Sequence, residues 1–193
     1  MYVIAGLGNP GEKYDKTRHN VGFEVIDVLS ERFGIPVKTR KCKGRIGKGV
    51  IAGMDVILVK PQTFMNLSGE CIRAVLDYYQ VPVENLVVLC DDIHLVAGRL
   101  RIRKGGSDGG HHGLENIILH LRTNEFKRIR IGVGIQPEYM DRIRFVLSRF
   151  PEEEREVMES AYRRASDAAI VLFAEGVDRA MNLYNGKGSY EST

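Results

Sequence analysis

Val3-Ile4-Ala5-Gly6-Leu7-Gly8-Asn9-Pro10-Gly11, followed after a short loop by Thr17-Arg18-His19-Asn20, decides the fold of this chain of 193 residues. From Tyr2 to Leu7 every residue is apolar or small, the pattern of a strand covered on both faces. Gly8, Pro10 and Gly11 stop the strand and turn the chain. Asn9 then falls at a strand's carboxyl end, where open α/β sheets place their ligand groups. His19 and Asn20 return to that end. The letters also fit G-x-G-x-x-G, the phosphate cradle of nucleotide folds. Pro10, however, lacks an N–H where that motif needs donors, no helix follows directly, and the Lys-Ser/Thr ending of a P-loop is missing.

Working outward, Val21, Val25, Ile26, Val28 and Leu29 form a helical stripe, which predicts a helix from about His19 to Arg32, stopped by Gly34 and Pro36. Strands are expected at 45–51 and 54–60 around a hairpin turn at Gly53, with Val56 to Val59 central in the sheet. Asn66 reads as the N-cap of a helix reaching Gln80. Leu86 to Cys90 is another doubly buried strand, ending in Asp91-Asp92. Leu100 and Ile102 alternate with Arg99, Arg101 and Arg103, so one face is core and the other a row of guanidinium groups. After the glycine-rich loop 105–110, His111-His112-Gly113 opens a helix, and 128–133 is a last strand. Helices are expected at 141–148, from Pro151 to about Ala174, and up to Tyr184. These elements describe an α/β fold with no repeats, no long linker and no second core, and a flexible tail is expected over 186–193.

Hydrophobic residues make up 44% and charged residues 27%, the composition of an ordinary globular domain. No apolar run approaches a membrane span, and the amino terminus enters a strand with no signal-peptide pattern. Cys42, Cys71 and Cys90 lack a C-x-x-C spacing, so neither a disulfide framework nor a zinc cluster is expected. A reducing, cytoplasmic location is. The net charge is only +3, but it is segregated. Lys38 to Lys48 carries basic side chains and no acidic one. Arg99, Arg101, Arg103 and Lys104 form a second cluster, and Lys127, Arg128 and Arg130 a third. Glu152, Glu153, Glu154, Glu156 and Glu159 hold negative charge elsewhere. Such a surface can attract a polyanion, and it can also consist of separate solvated faces.

Strand-end loops thus present Asn9, His19, Asn66, Asp91, His111 and His112. One His with one Asp is the minimal general-base unit, in which the carboxylate fixes the tautomer and the other ring nitrogen takes a proton. There is no Gly-x-Ser-x-Gly elbow, and Cys90 lies in an apolar strand that keeps its thiol protonated. Water activated by a His, with Asn amides as oxyanion donors, is the simpler proposal. Asp91, Asp92, His94, His111 and His112 could alternatively hold a metal, although no H-E-x-x-H spacing supports one.

The chain resembles the bacterial peptidyl-tRNA hydrolase family. The resemblance rests on Gly6-Leu7-Gly8-Asn9-Pro10-Gly11 with Tyr14 and Thr17-Arg18-His19-Asn20-Val21-Gly22, and on Lys60 to Gly69. It also rests on Gly105-Gly106-Ser107, Gly109-Gly110-His111 and Gly113-Leu114, and on Arg128 to Gly134. It covers about 1–185 and implies a single α/β domain over those residues, with a twisted mixed sheet between helices, and hydrolysis of the ester joining a peptide to the 3′ end of tRNA by a cytoplasmic monomer needing no cofactor and no metal. It further implies His19 as the base, Asp91 as its partner, and Asn9 and Asn66 as substrate contacts near the ester. Tyr14, Phe64 and Met65 would shape the pocket, His111 would lie at its rim, and Arg103 and Arg130 would clamp the tRNA 5′ phosphate. The helix near 141–160 would form part of a lid. The family usually has Asn where His112 stands, which changes the hydrogen-bonding group offered to the substrate there. Two other readings compete: an inactive RNA-binding module on the same fold, and a nucleotide- or metal-dependent hydrolase.

Overall fold

The computed structural model describes residues 1–186. Seven strands form one mixed sheet in the order β2-β3-β4-β1-β5-β7-β6. They are β1 (Tyr2–Gly6), β2 (Thr39–Lys41), β3 (Gly44–Ile51), β4 (Met54–Pro61), β5 (Leu86–Asp92), β6 (Leu100–Arg103) and β7 (Lys127–Gly132). The inner strands β4, β1, β5 and β7 run parallel, β2, β3 and β4 form an antiparallel meander on one edge, and β6 runs antiparallel to β7 on the other. The helices are α1 (Val21–Phe33), α2 (Ser68–Tyr79), α3 (His112–Leu121), α4 (Arg142–Val146), α5 (Glu152–Ala174) and α6 (Val177–Tyr184).

The strand period of two separates two cores. On β1 and β5, Ile4, Val87 and Leu89 face α1 and α5, while Val3, Ala5, Val88 and Cys90 face α2 and α3. Burying one such aliphatic side chain contributes about 1.5–3 kcal/mol. The expected domain, with helices on both faces, is therefore a three-layer α/β structure. Among the described residues, no helix is long and apolar enough to cross a membrane.

Strand β1 lies between β4 and β5, so the chain leaves it to one side and later crosses to the other. Such a switch point opens a crevice beyond the strands' carboxyl ends. Close packing brings α1 down onto it. A methyl group on Gly6 would stand 2.1 Å from the carbonyl oxygen of Gly22, so only glycine lets the two backbones approach this closely.

Several boundaries differ from expectation. Arg18–Asn20 is a separate 3₁₀ turn ahead of α1. The basic run 38–48 contains the unforeseen edge strand β2, joined to β3 by a tight turn at Cys42 (φ 51) and Lys43 (φ 58). Asn66 does not cap α2. It lies in a 3₁₀ turn, Met65–Leu67, and Leu67 takes the N-cap position without a side-chain bond. The predicted tail, 186–193, lies outside the described residues except for Gly186.

Candidate active site

Three strand ends and two helix starts meet at the crevice. His19, on the 3₁₀ turn, points Nδ1 at Asp91 Oδ1 across 2.8 Å. Asp91, near the end of β5, is 3% exposed. Burial alone would raise its carboxyl pKa. The charge interactions and hydrogen bonds of His19 and His111 outweigh that, and hold the carboxyl well below the usual carboxylate range. An ionised carboxylate only accepts, so the His19 nitrogen facing it carries the proton and Nε2 is left bare.

The second imidazole comes from His111. The family resemblance implies a place at the pocket rim, but His111 is 3% exposed. It is buried behind the carboxylate, and Nε2 lies 2.9 Å from the same Asp91 oxygen. Its Nδ1 accepts the backbone N–H groups of Gly113 and Leu114 at 3.1 and 3.3 Å, which makes it the N-cap of α3. Because Nδ1 accepts, Nε2 must carry the proton and donate to Asp91. Both ring nitrogens of His111 are occupied, whereas His19 keeps one.

Asn9 is fixed just as firmly. Its Oδ1 accepts the Met65 N–H at 2.8 Å, and its backbone is clamped at both ends by Asn20, whose Oδ1 accepts Asn9 N–H at 2.8 Å and whose Nδ2 donates to Asn9 carbonyl at 3.0 Å. With Oδ1 committed, the Asn9 Nδ2 group is the donor left for the cleft. Asn20 is a positioning residue, which the residue pattern brings back to this strand end without giving it a role. The bond from Met65 also helps to hold Phe64 at φ 61, ψ 160, a backbone region that side chains rarely occupy. Phe64 remains half exposed, with its ring edge-on to Tyr14 at 6.3 Å.

Asn9, His19, Met65, Asn66, His112, Arg142, Ile143, Val146 and Leu147 line a cleft of about 190 Å³. The far wall is α4, inside the segment expected as a lid. Arg18 ties this wall to the His19 turn. Its guanidinium lies 4.8 and 4.7 Å from the ring centres of Phe145 and Phe150, and its backbone N–H donates to the Ser148 carbonyl at 2.9 Å. His112 is exposed at the mouth, with Nδ1 3.1 Å from Glu115.

The arginine row is only partly a surface. Strand register sets Arg101 opposite Arg130 and Arg103 opposite Arg128, so all four share one sheet face. Arg103 is exposed, and Arg130 Nε lies 3.1 Å from Asp92 Oδ2. Arg128 is 1% exposed and donates to the carbonyls of Gly106, Ser107 and Asn124. It braces the loop and leaves the basic cluster. Of the residues considered for a metal, His19, Asp91 and His111 gather with their ligand atoms within 4.8 Å. His94 is exposed, and Asp92 accepts its backbone N–H while paired with Arg130. Burial pushes the Cys90 thiol up to about 12, so it is no nucleophile.

The family model described as "Peptidyl-tRNA hydrolase" matches residues 3–192. A peptidyl-tRNA hydrolase of Lachnospira eligens is 52% identical over 186 residues, covering 96% of this chain and all of the relative. One from Clostridium novyi is 50% identical, covering 96% and 98%. The crystal structure of peptidyl-tRNA hydrolase from Acinetobacter baumannii superposes with a TM-score of 0.91 at 36% identity, covering 96% of this chain and 95% of that one.

Proposed function

The chain belongs to the peptidyl-tRNA hydrolase family, and from that premise we propose that it hydrolyses the ester of peptidyl-tRNA with a water activated by His19, without a metal. The observation that carries this reading is the unequal use of the two imidazoles. Asp91 accepts from both, but only His19 keeps a bare nitrogen and lines the cleft.

In the reaction, His19 Nε2 takes a proton from water as the water oxygen attacks the ester carbonyl. The imidazolium so formed is stabilised by the Asp91 carboxylate on its other side. Asn9 Nδ2 donates to the carbonyl oxygen as it becomes an oxyanion. It is held there beforehand by Met65 and Asn20, so no reorganisation is needed as charge develops. Collapse of the tetrahedral intermediate breaks the bond to the ribose oxygen, and the proton on His19 passes to that leaving group. Products are the peptide acid and tRNA with a free 3′ end.

His111 keeps Asp91 anionic and oriented, and acts as a positioning residue. Asn66, free of any capping duty and exposed, offers its amide to the substrate beside Tyr14, Phe64, Met65 and His112. Arg103 and Arg130 bind the tRNA 5′ phosphate, where a planar, permanently charged fork suits the anion. The enzyme acts as a monomer in the cytoplasm, recycling tRNA from prematurely released peptidyl-tRNA.

The test is peptide release from peptidyl-tRNA in EDTA by the wild type and His19→Ala. Release by the wild type that is lost in the mutant, with tRNA binding kept, is expected. Release that requires an added divalent cation would refute the metal-free mechanism. A folded wild type that binds tRNA without hydrolysis would favour the binding-module reading.

A further inference from the structure

Arg142 carries no role in the mechanism above, yet it lines the cleft together with His19, Asn9 and Asn66. It begins α4, where Asp141 caps the helix by accepting Arg144 N–H at 3.0 Å, and buried Phe145 and Val146 anchor the helix one turn on. Among the described residues no carboxylate lies within ion-pair distance of Arg142, whereas Arg130 is paired with Asp92. An unneutralised, half-buried guanidinium beside a reacting centre is a ready partner for an anion.

Its surroundings connect it to the basic row. Gly109 and Gly110 both have positive φ, 58 and 76. A methyl group on Gly109 would stand 2.8 Å from an Arg130 guanidinium nitrogen, and one on Gly110 would stand 2.5 Å from an Arg142 nitrogen. The glycine pair thus leaves room for a guanidinium on each residue, and positive charge continues from the sheet face over this turn to the cleft. The one carboxylate in the turn, Asp108, accepts Gly110 N–H at 2.6 Å.

We propose that Arg142 binds the phosphodiester of the terminal nucleotide, the phosphate one ribose away from the ester that His19 addresses. This deepens, and rests on, the peptidyl-tRNA reading. The ester sits on a 2′ or 3′ hydroxyl of the terminal adenosine, and the same ribose carries the phosphodiester at its 5′ oxygen. A substrate seated at His19 has that phosphate as its nearest charge, and Arg142 is a cation in the same small cleft. The arrangement selects an ester on a polynucleotide over one on a free nucleoside, and reads charge without reading a base.

The probes are two N-acetylaminoacyl esters, of adenosine and of adenosine 5′-methylphosphate, which differ by one phosphodiester. The wild type should favour the second in kcat/KM by about tenfold or more, the worth of one charge-assisted hydrogen-bonded contact. In Arg142→Gln the ratio should fall towards one, and Arg142→Lys should retain part of it, since the point charge stays while the fork is lost. The ratio is internal to each variant, so a general loss of activity does not mimic the effect. Binding to tRNA supplies a second readout. The slope of log Kd against log salt should shrink by about 0.7–0.9 in Arg142→Gln. An unchanged ratio or an unchanged slope in Arg142→Gln would overturn the proposal. A wild type that releases peptide from full peptidyl-tRNA but shows no preference between the esters would overturn it alone. A wild type that hydrolyses neither the esters nor peptidyl-tRNA would overturn the functional reading, and this inference with it.

Discussion

The corner around Asp91 and the face of β6 and β7 are built on opposite physical terms. At the corner, Asp91, His111, Asn9 and Asn20 are buried, and hydrogen bonds of 2.8 to 3.1 Å fix their orientation. On the sheet face, Arg103 reaches into solvent and Arg130 is held by a single ion pair. A dry network sets protonation states and aims lone pairs, which is what a chemical step requires. The solvated Arg103 guanidinium, beside the largely buried Arg130, holds a flexible polyanion by charge, which salt weakens. Damage to the first region should therefore appear in kcat and be insensitive to salt, and damage to the second in KM and in its salt dependence.

The largest expected break is His19→Ala, which should lower kcat by about 10³-fold, within the range for loss of a general base. The variant should bind tRNA as the wild type does, as checked by filter binding. Next, Asn20→Ala frees both ends of the Asn9 backbone and should lower kcat by about tenfold. It should also destabilise the fold by about 1–3 kcal/mol, read from urea unfolding, because buried polar groups lose their partners. On the other region, Arg103→Gln or Arg130→Gln should raise KM by about tenfold at low salt and reduce the salt slope by about one, with the two variants converging on the wild type as salt rises.

The pH dependence sharpens the same contrast. The folded pKa of Asp91 lies below its unfolded value, so below about pH 4 the unfolded chain binds more protons than the folded one, and stability rises with pH there. The contribution of Asp91 is therefore fully present above that range and is lost as pH falls through it. Unfolding midpoints of wild type and Asp91→Ala should differ above about pH 4 and converge only below it. Asp91 thus stays ionised throughout the mildly acidic range. The smallest expected effect is that of His112→Asn at the exposed cleft mouth, which should change kcat/KM for peptide release by less than about threefold. A larger change would give the His112 side chain a direct part in holding the substrate.

Much of the corner was legible in the chain because strand ends are. An apolar run stopped by Gly8 and Pro10 fixed the place of Asn9, and Leu86 to Cys90 fixed that of Asp91. The division of labour between His111 and His112 was not legible. Two adjacent histidines look alike in a pattern, and only the start of α3 makes the first an N-cap turned inward and the second a helical residue turned outward. Likewise, a period of two puts Arg128 and Arg130 on one face, but two of the three carbonyls that hold Arg128, those of Gly106 and Ser107, come from a loop distant in sequence. Strand β2 escaped because Cys42 and Lys43 are not residues that advertise positive φ. Arg142 enters the cleft from a five-residue helix whose place depends on Phe145 and Val146 meeting the His19 turn, a contact that no local spacing reveals.

The separation of chemistry from binding is tested most directly by single-turnover peptide release from saturating peptidyl-tRNA, in EDTA, by the wild type and Asp91→Asn, alongside Kd for tRNA. The amide no longer enforces the proton on His19 Nδ1. The release rate should fall by about 10²-fold or more at every salt concentration, while Kd stays within about twofold of the wild type. A release rate equal to the wild type at saturation, with the loss confined to Kd, would contradict the assignment of the His19–Asp91 pair to the chemical step.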